Sequence, residues 1–147
     1  MRARGARSRC CPRRVFALMT PTPQDRKVFD RLDEAARGYQ ARAEQFITQG
    51  QRPSLVFNVG SVALEHTLVA LCAFHGRMPL NHTYTDLLET VEEVMDLPAA
   101  LAEEIRALDG AFGLCSLDEA CTTTPGPEDA VRVLRLCRDV RALIPVS

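Results

Sequence analysis

Three histidines are the first side chains to ask for proton-transfer or metal chemistry, and their spacing keeps them apart. His66 and His75 stand nine positions apart in a stretch with helical periodicity. At about 100° per residue they point to opposite sides of that helix and cannot share a metal. His82 follows in the next connection. No HxxxH, HExxH or Cys/His pair at ligand spacing exists, so the sequence offers no zinc site and implies no cofactor. The glycine patterns that cradle phosphates (GxxxxGK followed by Ser or Thr, and GxGxxG) are absent, as is a GxSxG nucleophile elbow. His66, without partners at catalytic spacing, reads as a core or partner-facing imidazole. With Glu65 it makes the best candidate for a functional polar patch.

Two groups of charge come next. Glu89, Glu92, Glu93 and Asp96, followed by Glu103 and Glu104, fall opposite the apolar stripes of their segments. They read as solvated faces rather than as paired acid and base. On the final helical segment Ala130, Val133, Leu134, Leu136, Cys137, Val140, Leu143 and Ile144 take one half of the helical wheel. Arg132, Arg135, Arg138 and Arg141 take most of the other half, with Asp139 the one acid among them. These four arginines are a candidate binding surface for phosphates or an acidic partner. The competing reading is an ordinary solvated face, paired in part with the acidic third and fourth segments.

The elements that must position these residues are all helical. Thr22-Pro23-Gln24-Asp25 sets a capping hydroxyl, a proline at the first helical position and an acid in the first turn. Val28, Leu32, Ala36, Tyr39, Ala43 and Ile47 then recur at steps of three and four, until Gly50 stops the helix. A second helix over 54–75 is apolar nearly all round, with Asn58, Ser61 and Glu65 as its polar strip, and should be the central one. Gly76 ends it. Thr83 and Thr85 compete to cap a third helix, whose stripe runs from Leu87 to Met95. Pro98 opens a fourth, and Gly110 and Gly113 loosen the chain. Residues 113–127 read as a loop with a helical turn at Ser116–Glu119, and the last helix runs over 127–144. No strand alternation, long-period repeat or interdomain linker is visible.

Composition agrees with one aliphatic helical domain. Of 147 residues 46% are hydrophobic and only 5% aromatic, with no Trp, so Leu, Val and Ala must fill the core. Six arginines (2, 4, 7, 9, 13 and 14) precede residue 19 without an acid among them. Removing them leaves 12 bases against 19 acids, so residues 19–147 carry about −7, which opposes generic RNA binding. Residues 1–21 read as a basic leader, disordered or mis-started with translation from Met19, ahead of a bundle over 22–147. No consecutive apolar run reaches the roughly 18 residues of a membrane span, and the leader lacks a secretory apolar core. Cys72 and Cys137 fall in apolar patterns, and Cys10, Cys11, Cys115 and Cys121 lack CxxC spacing. Reduced thiols and a cytoplasmic location follow from that reading.

The second and third helices carry a resemblance. Phe57-Asn58-Val59-Gly60-Ser61-Val62-Ala63-Leu64-Glu65-His66 resembles the second helix of HEPN domains, where an acid precedes a helical apolar run. The connection 76–81 with Pro79, then Tyr84-Thr85-Asp86-Leu87-Leu88-Glu89, is similar to the start of that family's third helix, with Thr85 where the family has His. Leu97-Pro98 opening a helix, a long loop and a closing amphipathic helix complete a likeness over residues 24–144. It implies an all-α, HEPN-like bundle of about five helices that forms a homodimer. Many such proteins are ribonucleases of toxin–antitoxin or defence systems, and others are non-catalytic partners of minimal nucleotidyltransferases. The ribonucleases carry Arg, four to six residues, then His near the last helices. There the Arg holds phosphate and the His handles protons. Here no His follows any arginine of the final helix. One formal match, Arg77 with His82, sits in the 76–82 connection around Pro79. Among 17 arginines and three histidines about one such match arises by chance. The expectation is therefore a non-catalytic binding or dimerisation module with no membrane role. The alternatives are a metal-independent ribonuclease using Arg77 and His82, and a structural bundle with an unrelated protein partner.

Overall fold

Thr22 begins the first helix as its local chemistry requires. Its hydroxyl accepts from the Asp25 amide at 3.2 Å, and the Asp25 carboxylate accepts from the Thr22 amide at 2.7 Å, a reciprocal cap that satisfies two otherwise orphan donors. The computed structural model describes residues 20–112 and 123–145 and resolves five helices. They are α1 (Pro23–Thr48), α2 (Pro53–Phe74), α3 (Tyr84–Glu92), α4 (Ala99–Phe112) and α5 (Pro127–Arg141). No strand occurs among the described residues. The leader up to residue 19, the turn at Ser116–Glu119 and the cysteines at 10, 11, 115 and 121 lie outside them.

Helix α2 is the hub. It packs against α1, α3 and α5, while α4 rests on α3 and α5 and the long α1 also reaches α5. Phe57, Leu64, Leu68 and Leu71 of α2 are fully buried, joined by Leu87, Leu88, Ile105, Val133 and Leu136 from the other helices. Each such side chain contributes about 1.5–3 kcal/mol on leaving water. By length and composition α2 could cross a membrane, which a count of consecutive apolar residues does not reveal because Asn58, Ser61, Glu65 and His66 interrupt it. Its most apolar stretch is nevertheless 67% buried inside the bundle. Ser61 is not on a solvated strip. It is buried, its hydroxyl donates to the Phe57 carbonyl at 2.8 Å, and its own carbonyl accepts from the Tyr84 hydroxyl at 2.9 Å.

Glycine closes both long helices. Gly50 and Gly76 have φ of 66° and 70°. At each, the next amide reaches back to a carbonyl five residues earlier, Gln51 to Phe46 and Arg77 to Cys72, both at 2.9 Å. The later boundaries differ from the periodicity. Helix α3 stops at Glu92, short of Val94 and Met95, whose amides both turn back to the Val91 carbonyl at 3.0 Å. Gly110 lies within α4 rather than ending it. Helix α5 ends at Arg141, and the Leu143 and Ile144 amides make tighter three-residue bonds to Val140 and Arg141 ahead of Pro145.

The crossing of α2 and α5 needs a residue without a side chain. A methyl on Gly60 would stand 2.6 Å from Val133 Cγ1, and the Cys137 thiol donates to the Gly60 carbonyl at 3.5 Å. Burial pushes the Cys72 and Cys137 thiols up to about 12, so both stay protonated and inert. Gly38, on α1, meets nothing within 4 Å. Two alanine substitutions should therefore have opposite signs in denaturant unfolding. Gly60→Ala is expected to lower stability by about 1–3 kcal/mol, and Gly38→Ala to raise it by about 0.5–1 kcal/mol.

Candidate functional site

The connection between α2 and α3 gathers most of the chemistry-bearing residues, and it is pinned at both ends. Gly76 turns the chain off α2, and Thr83 caps α3 by accepting from the Asp86 amide at 3.1 Å. Thr85 does not compete for that cap. Its amide and hydroxyl donate to the Asp109 carboxylate at 2.8 and 2.9 Å, and the Tyr84 amide joins them at 3.3 Å. Asp109, from α4, thus completes the positive end of α3. Buried Tyr84 anchors the same turn to α2, and desolvation raises its hydroxyl well above the usual phenol range. Sequence reasoning missed Asp109 because a contact across some 24 positions leaves no local signature.

Glu65 and His66, adjacent on α2, do not form one patch. The Glu65 carboxylate turns to the connection and accepts from His82 Nδ1 at 2.7 Å. His66 instead donates from Nδ1 to the Val62 carbonyl at 2.9 Å, with its ring 5.2 Å from that of Tyr39 on α1. The structure therefore unites Glu65 with His82, a residue 17 positions away. A carboxylate on Nδ1 fixes the imidazole tautomer and leaves Nε2 as the acceptor, the arrangement of an oriented general base.

Arg77 lines a cleft of about 420 Å³ together with Met78, Leu80 and Asn81 of the connection and Asp86, Glu89, Thr90 and Glu93 of α3. Its lining is acidic: three carboxylates face one guanidinium. The Asp86 carboxylate is held by the Thr83 hydroxyl at 2.6 Å, whereas the exposed side chains of Glu89 and Glu93 make no hydrogen bond or ion pair among the described residues. Two apolar side chains rim the cleft in water, Leu80 at 98% and Met78 at 56% exposure.

The four arginines of α5 are all engaged. Arg135 bonds Glu104 of α4 and, at 2.8 Å, Asp139 of its own helix. Arg138 reaches Glu44 at 3.2 Å and Arg141 reaches Asp33 at 3.3 Å, both on α1. Arg132 stands 3.9 Å from Asp129. Their acids come from α1, α4 and α5, and none from α3, where pairing was also expected; Glu92 of α3 binds Arg106 of α4 instead. Such exposed pairs contribute about 0–1 kcal/mol each, but they neutralise the basic face. Among the described residues no three His, Cys, Asp or Glu side chains converge as metal ligands.

No family model matches the chain, and no curated protein matches it. Among solved structures it is similar to TT1696 from Thermus thermophilus, with a TM-score of 0.61 at 20% identity over 84% of this chain and 97% of that one. At that identity the likeness establishes a shared all-α bundle and nothing of its use.

Two measurements follow from these contacts. Asp109→Ala strands the first amides of α3 and should cost about 0.5–2 kcal/mol in denaturant unfolding, with the loss centred on α3 in hydrogen exchange. His75, at the end of α2, is held below its ordinary value of 6.5 by burial, and its Nε2 is enclosed without a hydrogen-bond partner. It stays neutral in the native state while the unfolded chain takes up a proton. Stability is therefore full above about pH 6.5 and falls as pH drops below it. In His75→Gln the slope between pH 7 and the depressed value should flatten, provided the melts are compared at equal ionic strength.

Proposed function

We propose that this chain is a non-catalytic, HEPN-like helical binding module. It works as a homodimer or as the partner of a minimal nucleotidyltransferase, in a cytoplasmic toxin–antitoxin or defence setting. The observation that carries this reading is the neutralised α5 surface. Arg135, Arg138 and Arg141, the side chains best placed for a phosphate array, are each tied to an acid of the bundle at 3.3 Å or less. Holding RNA there would require breaking these pairs on a body carrying about −7. The five-helix architecture is compatible with the HEPN resemblance, and the free carboxylates and exposed apolar side chains beside α3 suit protein contact.

One observation favours a second reading, the metal-independent ribonuclease. His82 is oriented by Glu65 at 2.7 Å, and Arg77 lies in the same connection. An imidazole so held could take a proton from a ribose 2′-hydroxyl, with Arg77 on the phosphate. The acidic cleft beside Arg77 works against this by repelling the backbone of RNA.

The deciding experiment incubates the purified full chain and its His82→Ala variant with structured and single-stranded RNA in the presence of a chelator. The module reading expects no cleavage by either protein. Cleavage by the wild type that disappears in His82→Ala would replace it with the ribonuclease reading.

A further inference from the structure

We infer that the cleft between the 76–81 connection and α3 is a docking site for a cationic protein segment that presents an apolar side chain beside its basic ones. This rests on the binding-module reading and names the chemistry of the partner.

Charge complementarity sets the sign of the occupant. Four acids elsewhere on the bundle, Asp33, Glu44, Glu92 and Glu104, each hold an arginine. Asp86, Glu89 and Glu93 follow one another at steps of three and four on a single face of α3, and Glu89 and Glu93 have no cationic partner among the described residues. Like charges at that spacing destabilise a helix. A helical segment with basic residues four apart matches the spacing of Glu89 and Glu93 and relieves that repulsion.

The apolar component has an independent source. Leu80 is 98% exposed and Met78 56% exposed, both on the rim of the same cleft. Their backbone is not a loose loop, since the Gly76 turn, the Glu65–His82 bond, the Thr83 cap and the Asp109 contacts fix the connection at both ends. A partner that covers these side chains therefore does not also have to order the backbone that carries them. An acidic row beside an apolar rim therefore fits an amphipathic basic segment and disfavours RNA, whose phosphates would meet Glu89 and Glu93 first.

The test titrates the full chain into a fluorescently labelled, alanine-based helical peptide carrying two arginines four residues apart with leucine between them. A counterpart has glutamate for arginine and another has serine for leucine. Binding by anisotropy is expected for the first peptide alone, weakening as salt rises. Glu89→Gln with Glu93→Gln should weaken it by about 2- to 30-fold, the loss of two exposed pairs, and should flatten the salt dependence. Leu80→Ser should weaken it while leaving that dependence in place. All three positions are exposed, and circular dichroism melts verify that the variants fold. Absence of binding, or equal affinity in the wild type and the double glutamine variant, overturns the proposal. So does a single-stranded RNA oligonucleotide that displaces the peptide, because it gives the cleft to nucleic acid. Failure here leaves the module reading intact, whereas RNA cleavage lost in His82→Ala removes that reading whatever the peptide does.

Discussion

A helix apolar around most of its circumference cannot lie on a surface, and α2 imposes that constraint on everything else. From Val56 to Ala73 thirteen of its residues are buried, so it must be covered from several directions at once. Helix α1 is long enough to run alongside it, α5 crosses it at Gly60, and α3 closes the end near Tyr84. The remaining helix, α4, covers α3 and α5 and makes its main contribution to the polar architecture through Asp109.

Enclosing α2 decides where polarity can go. Ser61 and Thr67 are buried and return their hydroxyls to carbonyls four residues back, Phe57 and Ala63, because a buried donor without a partner costs about 1–3 kcal/mol. The charged side chains are displaced to the seams between helices, where Arg135, Arg138 and Arg141 stitch α5 to α4 and α1. Arg141 shows the strain of that position. It is mostly buried, desolvation lowers its pKa despite Asp33, and its Nε and Nη2 donors have no partner. Beside α3 the carboxylates of Glu89 and Glu93 and the apolar rim of the connection stay open to solvent.

Residue order alone was enough to establish the number of helices, the cap at Thr22, the glycine stops at 50 and 76 and the central place of α2, and it narrowed the α3 cap to Thr83 or Thr85. These depend on the chemistry of neighbours within one or two turns, which periodicity records directly. It also separated His66 from His75 and placed the arginines opposite the apolar face of α5. The partners came from packing: Glu65 with His82 rather than His66, Asp109 under Thr85, α1 rather than α3 against Arg138 and Arg141, and Gly60 beneath Val133. Each of these pairs spans 17 to 108 positions along the chain or depends on two backbones meeting closely. Local spacing fixes which way a side chain leaves its helix, but only packing around α2 fixes what it meets.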